Sequence, residues 1–377
     1  MKRTLLIAAL FLASVPAFAS ESDLARLNAQ ILRDPTNVQL SLAYARAAEE
    51  IGDSGKALVA YERVLEYEPS NAEANAGMSR TRVRIEPNTF QVFTEFGGGY
   101  ESNPQNFSIG GQGQALLFGR VLLKDERTLW DTRWRTTTLF SGNVYAQSGD
   151  LNYGYAGAAT GPVYFMLPNT TVHPAIGVGA AYFDNHFYYS EAFASVIFEG
   201  AYDVWNYTTR LRLGYRDYGD FFPATNGLFG DVTFKFSRPS VVFDDDLFVF
   251  SPWLRWSGID AVSNINNLVS PDDFLTGKYG EAGARVEYYK PLLDWLTVGA
   301  NFAYLYRQYA QAQDATGMRF RRQDKIYAPG AALIFRNIFV NNPSTLRFDY
   351  RYEHDNSNDP LGSYTNNVFT VTLFNRY

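Results

Sequence analysis

Mostly β, with a transmembrane antiparallel barrel of about 14 strands behind a short α-helical region, is the fold class the sequence predicts, and three observations carry it. Segments of alternating polar and apolar residues recur from Phe90 to Tyr377. Aromatics make up 16% of the 377 residues, with 26 Tyr and 29 Phe. Beyond the first 19 residues no apolar run approaches the length of a membrane-spanning helix, so a chain of this composition is either soluble or crosses a membrane as strands.

In chain order, Met1-Lys2-Arg3 is a basic head, Leu5 to Val15 an apolar run too short to span a bilayer, and Ala17-Phe18-Ala19 a small-x-small cleavage site. Residues 1–19 therefore read as a secretory signal peptide. The chain has no cysteine, which excludes both a disulfide framework and a lipidated cysteine after cleavage. The net charge of -6 argues against a nucleic-acid partner, which needs a basic excess to neutralise phosphates.

Residues 20–86 have helical periodicity and are rich in Ala, Glu and Arg. Pro35 and Pro69 stand thirty-four positions apart, the period of a tetratricopeptide repeat. Gly52 falls at the turn between two helices, and Ala45, Ala57 and Tyr61 fall where such helices pack closely. An ordinary helical hairpin is the competing reading. If the repeat reading holds, exposed residues of the first helix line a concave groove for a partner, with Gln39, Tyr44 and Glu50 as candidates.

Residues 90–377 carry the barrel. "LRFDYRYE" sets Leu346, Phe348, Tyr350 and Tyr352 against Arg347, Asp349, Arg351 and Glu353. "RLRLGYR" and "DWLTVGANFAYLYR" repeat the pattern, with Leu211, Leu213 and Tyr215 opposite Arg210, Arg212 and Arg216 in the first. Charges on the enclosed face predict a wet lumen rather than a dry core. Alternate connections are tight, as in "KDER", "LPNT" and "DVWN", and those between them are longer, as in "GDFFPATN" and "DNSNDPLGSYT". "SRPSVVFDDD" and "DNHFY" break that rule. In outer-membrane barrels short turns face the periplasm, so the helical region is expected there. The final "VFTVTLFNRY" alternates Phe369, Val371, Leu373 and Tyr377 with Thr370, Thr372 and Arg376, as a closing strand would.

The order of signal peptide, short repeat region and barrel resembles the surface lipoprotein assembly modulators, a group of outer-membrane proteins. The local match is "GGGYESNPQNF", since the first barrel strand of that family typically ends in Gly-Tyr-acidic-Ser-Asn, here Gly99, Tyr100, Glu101, Ser102 and Asn103. The resemblance implies an outer-membrane translocation or assembly factor that moves a protein cargo, such as a surface lipoprotein, to the cell surface after periplasmic docking. The chain's last strand likewise resembles the terminal signature read by the barrel assembly machinery of that membrane, which implies that machinery and the lipid bilayer as partners. A pore for exopolysaccharide and a passive structural or diffusion porin are the alternatives.

No catalytic constellation, cofactor motif or metal-ligand spacing stands out. His173, His186 and His354 fall on separate elements, and Asp244 to Asp246 read as a solvated acidic turn rather than a cation site. Interior arginines form the one extended polar set: Arg133, Arg135, Arg210, Arg212, Arg216, Arg255, Arg285, Arg347 and Arg351. Asp131, Glu281, Glu287, Asp349 and Glu353 share that interior. Such a lumen either favours anionic cargo or is a set of mutually satisfied charge ladders. Trp130, Trp134, Trp256, Phe302 and Tyr304 are expected on the lipid side.

Overall fold

A computed structural model describes residues 20–85, 88–106, 108, 111–129, 132–147, 149–167, 170–184, 186–218, 226–259, 278–310, 312–313, 319–338, 344–359 and 362–377. The expected signal peptide at 1–19 lies outside the described residues, as do Trp130, Asp131 and residues 260–277. The chain divides into two compact units, Met1–Glu86 and Pro87–Tyr377.

The first unit is four helices, α1 (Glu21–Ile31), α2 (Val38–Glu50), α3 (Ser54–Tyr67) and α4 (Ala72–Ile85), with consecutive helices packed together. Side chains that satisfy orphan amides fix their starts. Ser20 and Asp23 form a reciprocal capping box on α1, Asn37 accepts from the Leu40 amide at 3.1 Å, Asp53 from Lys56 at 3.0 Å, and Asn71 from Ala74 at 3.0 Å. Between α2 and α3 the chain reverses at Gly52, whose φ of 82° suits glycine. The core is dry and small-residue rich: Leu24, Leu42, Ala45, Ala48, Ala57, Ala60, Val64 and Ala74 surround a fully buried Tyr61. The Tyr61 ring lies flat on Gly77, where an added Cβ would come within 2.1 Å of it.

The second unit is a closed antiparallel barrel of fourteen strands. In chain order they are β1 (Thr89–Glu101), β2 (Gln114–Leu129), β3 (Thr132–Tyr145), β4 (Tyr153–Leu167), β5 (Thr170–Phe183), β6 (His186–Tyr202), β7 (Trp205–Asp217), β8 (Gly227–Pro239), β9 (Leu247–Gly258), β10 (Lys278–Leu293) and β11 (Leu296–Tyr309). A two-stranded hairpin of β12 (Ala312–Gln313) and β13 (Arg319–Phe320) stands outside the ring. The ring then continues with β14 (Gln323–Arg336), β15 (Thr345–Ser357) and β16 (Tyr364–Arg376).

The end at which β1 begins is called here the near end, and the opposite one the far end. Near-end connections are mostly two residues, at 130–131, 168–169, 203–204 and 294–295, whereas far-end ones include 102–113, 218–226 and 259–277. The exceptions expected from the sequence are present: 240–246 is long for the near end and 184–185 short for the far end. Residues 337–344 form a second long near-end connection.

The ring closes between β1 and β16, in the register Gly97 with Thr372 and Gly99 with Thr370. At the near end of this seam the Tyr377 amide donates to the Val92 carbonyl at 2.9 Å, and Val92 returns the bond at 3.1 Å. At the far end side chains take over. Ser102 Oγ accepts from the Asn367 amide at 2.8 Å, and the Asn103 amide donates to Asn366 Oδ1 at 3.0 Å. The Gly-Tyr-Glu-Ser-Asn segment is thus the clasp of the seam. Gly99 is needed there because a Cβ would sit 2.3 Å from the Phe369 carbonyl oxygen.

Cross-strand register gives every strand an inner and an outer face. Outward stand Phe96, Leu117, Phe140, Ile176, Val178, Leu213, Leu254, Trp256, Phe302, Leu333, Tyr350 and Phe369, each at least 45% exposed. Val371, Leu373 and Tyr377 share the outer face with Phe369, while Thr370, Thr372 and Arg376 point inward. A hollow of about 480 Å³ lies on this outer wall over Gly230, between Leu213, Leu254 and Trp256.

Candidate functional site in the barrel interior

Within the barrel, register brings the sequence-predicted arginines to one surface, and the inward carboxylates Asp231, Glu281 and Glu126 each collect more than one cation. Asp231 on β8 faces both Arg212 at 2.7 Å and Arg210 at 3.2 Å from β7. Glu281 on β10 accepts from Arg307 at 2.7 Å, and Arg255 stands 3.5 Å from it. Glu191 on β6 accepts from Arg216 at 2.7 Å and from the Tyr155 hydroxyl at 2.9 Å. Nearer the near end, Glu126 pairs with Arg135 at 2.6 Å, Lys124 at 2.9 Å and Arg133 at 3.6 Å, and Arg135 also reaches Glu199 at 2.8 Å. On β15 the pairs run along the strand, Arg347 to Asp349 at 2.7 Å and Arg351 to Glu353 at 3.5 Å. Arg285 faces inward opposite Ser251 and Ala303, and Glu287 shares its face.

Neighbouring strands stand about 5 Å apart, so side chains directly opposite can meet without crossing the lumen. The charge ladder expected as one of two readings is therefore present in geometry. The expected wet lumen needs correction at the far end. Every ring strand except β1 buries an inward side chain there, and Asn103 does so just after β1. Tyr145, Tyr153, Tyr189, Arg216, Phe229, Ser257, Tyr279, Tyr309, Asp324 and Asp355 belong to this level, each at most 8% exposed. Pairing offsets the cost of burying charge for two of these, Arg216 with Glu191 at 2.7 Å and Asp324 with Arg322 at 2.8 Å, whereas Asp355 Oδ1 is buried without a hydrogen-bond partner.

Aromatics complete that layer, and none of them is among those expected on the lipid side, of which Trp134, Trp256, Phe302 and Tyr304 stand on the outer face. Arg216 lies 3.8 Å from the Tyr189 ring centre and 5.1 Å from that of Phe229, and Arg212 stands 5.3 Å from Phe229. Arg307 sits over Tyr279 at 5.5 Å and Arg322 over Tyr309 at 5.4 Å. Trp253 Nε1 donates to Glu281 at 2.7 Å. Flat guanidinium groups stack on rings while donating sideways, which suits Arg better than Lys here. Inward glycines make room for these rings. Trp253 covers Gly283, and Phe229 covers Gly214. The signal was legible as parity: Trp253 shares its face with Arg255, and Phe229 with Asp231.

The remaining candidates do not form a second site. His173 is buried in the wall with Nδ1 3.0 Å from the Pro162 carbonyl, His186 stands beside the Asp184 carbonyl at 2.6 Å, and His354 is on the outer face. Among the described residues no group of His, Cys, Asp and Glu is placed to hold a metal ion. Asp246 departs from the expected solvated acidic turn. It is 1% exposed and accepts from the amides of Val241 at 2.6 Å, Val242 at 2.9 Å and Phe243 at 2.8 Å, whereas Asp244 and Asp245 are exposed. In the helical unit Gln39 and Glu50 are exposed and lie about 20° apart around α2. Tyr44 does not join them, because it is half-buried against the helical core.

No protein-family model matches this chain, and no curated protein does either. Solved structures with a similar barrel include the outer membrane protein OpdK from Pseudomonas aeruginosa, 9% identical with a TM-score of 0.39 over 78% of this chain and 100% of that one. The outer membrane channel DcaP of Acinetobacter baumannii is 9% identical with a TM-score of 0.44, over 77% and 97% of the two chains. A loop-deletion form of OmpT, an outer membrane protein of Vibrio cholerae, is 9% identical at 0.37, over 78% and 100%. Likeness at this level identifies no family and assigns no function.

Proposed function

We propose that this chain is an outer-membrane pore for small anionic solutes, with the helical unit on the periplasmic side. The observation that carries it is the segregation of faces around the ring: apolar and aromatic outward, charged inward, which suits a bilayer outside and water inside. Inward cations outnumber inward carboxylates on the strands although the whole chain is acidic, and among the described residues Lys235 and Arg285 have no carboxylate partner. A surplus of fixed positive charge in a narrow lumen raises the local concentration of anions. The far-end layer of stacked Arg and Tyr is the constriction in this reading, and no catalytic step is assigned to the chain.

Reconstituted in a planar bilayer under a salt gradient, the mature protein is expected to conduct with a small unitary conductance and an anion-selective reversal potential. Lys235→Gln with Arg285→Gln should move that potential toward zero. Absence of conductance, or cation selectivity, would sink the proposal.

The exposed α2 face with Gln39 and Glu50 favours a second reading, in which a tetratricopeptide-like unit docks a protein such as a surface lipoprotein for export through the barrel, itself inserted by the barrel assembly machinery. Deletion of residues 20–86 separates the two. A pore keeps its conductance without them, whereas a translocation factor loses export of its cargo.

A further inference from the structure

The near-end connection 240–246 is longer than a strand turn requires, and its tip is apolar and exposed: Val241 at 42%, Val242 at 66% and Phe243 at 58%. Three consecutive exposed apolar side chains in one turn call for a reason. The turn is rigidly defined, with Ser240 and Asp245 both in the left-handed region at φ 53° and 65°. Asp246 organises it. One carboxylate takes the amides of Val241, Val242 and Phe243, and the Asp246 carbonyl takes the amide of Ser240 at 2.9 Å. Every backbone donor of the tip is thereby satisfied within the turn.

The direction of the turn follows from its attachments. Asp246 also accepts from the Tyr288 hydroxyl at 2.7 Å, and Tyr288 stands on the outer face of β10, opposite Ala300 and Phe248. Lys290, on the same outer face, donates to the Asp244 carbonyl at 2.8 Å and sits 5.0 Å from the Phe243 ring. The connection is therefore folded back onto the outside of the barrel. It continues an outward aromatic row in which Arg238 stacks on Trp205 at 5.7 Å and Trp205 meets Phe248 edge-on at 6.3 Å.

We infer that the 240–246 turn is a membrane anchor whose Val241, Val242 and Phe243 insert into the lipid leaflet at the near end. This rests on the reading of the outer wall as lipid-facing. An unpaired amide is costly in lipid, and the Asp246 clamp removes that cost for the tip. Apolar and aromatic side chains of this kind settle about 5–10 Å into the boundary between headgroups and acyl chains, with Lys at the headgroup level.

Because the chain has no cysteine, single labels can be placed without background. The full mature chain is refolded into phosphatidylcholine vesicles with a bimane label at Phe243→Cys, at Leu213→Cys on the wall, or at Glu68→Cys in the helical unit. Brominated acyl chains should quench the Phe243 and Leu213 labels, while aqueous iodide should quench mainly the Glu68 label. Asp246→Ala should restore iodide quenching at Phe243 and leave Leu213 unchanged. Iodide quenching of Phe243 equal to that of Glu68, with Leu213 still quenched from the lipid, overturns the anchor alone. An iodide-quenched Leu213 overturns the membrane reading beneath it. Persistence of lipid quenching at Phe243 in Asp246→Ala would show that the clamp does not hold the tip in place.

Discussion

The two units of this chain have opposite interiors. The helical unit surrounds Tyr61 with Ala, Leu and Val and keeps its ion pairs, such as Arg80 with Glu49 at 2.8 Å, at the margin. The barrel encloses Arg216, Glu191, Asp231 and Glu281 and turns Leu213, Val178 and Phe302 outward. In the helical unit burial of apolar area drives association, whereas in the barrel the backbone ladder is closed on itself and the inner side chains need only satisfy one another. The same residue types therefore occupy opposite places. On the reading of the outer wall as lipid-facing, what surrounds each unit accounts for the inversion.

If that contrast is right, the largest effect should come from breaking a lumen pair on one side. Arg216→Met leaves Glu191 buried with only the Tyr155 hydroxyl, which should cost about 3–5 kcal/mol of barrel stability in urea titrations. Adding Glu191→Gln, which still accepts from Tyr155, should recover most of it. An unchanged unfolding midpoint in the single variant would mean that water already solvates this layer.

Outer-face substitutions should have the next largest effect. Leu213→Arg or Val178→Arg in the middle of the wall should destabilise the reconstituted barrel by about 2–4 kcal/mol. Heat-modifiable migration on denaturing gels reports the loss, and a neutral outcome would argue for a water-facing wall. The helical unit should respond more weakly to a polar deletion. Tyr61→Phe keeps the packing on Gly77 and removes only the hydroxyl bond to Glu49 at 2.7 Å, a loss of about 1.5 kcal/mol.

Acid sharpens the contrast further, with the smallest effect. Burial alone would raise the Glu49 carboxyl, but hydrogen bonds from Arg80 and Tyr61 outweigh it and hold the group below its ordinary value. A carboxyl lowered in the folded state stabilises fully above its unfolded value of about 4.3, and that contribution fades as pH falls through the folded value. Helical ellipticity at 222 nm should therefore hold from neutrality to about pH 4.5 and weaken below it. Weakening already at pH 6 would contradict the pairing.

The sequence made the barrel legible because alternation has a period of two and survives without an alignment. "RLRLGYR", "LRFDYRYE" and the last strand each show both faces, and the ring has the expected fourteen strands. The inward arginines were readable for the same reason. Their partners were not, because Glu191 meets Arg216 only through the register of β6 with β7, and register is set by the whole ring. The interior aromatics were missed because an aromatic residue has no intrinsic side, and Trp253 differs from Trp256 only in parity. Asp246 was hidden in a run of three acids, of which it alone is buried. Ser102 and Asn103 drew notice as a motif, yet their role as a clasp on Asn366 and Asn367 depends on strands at opposite ends of the barrel sequence.

Nitroxide scanning of the reconstituted protein tests the inverted interior most directly. Labels at Val178, Leu213 and Phe302 are expected to relax with lipid-soluble oxygen and to resist an aqueous nickel chelate, while labels at Lys235 and Arg285 do the reverse. Nickel accessibility on the outer positions equal to that on the inner ones would contradict the account.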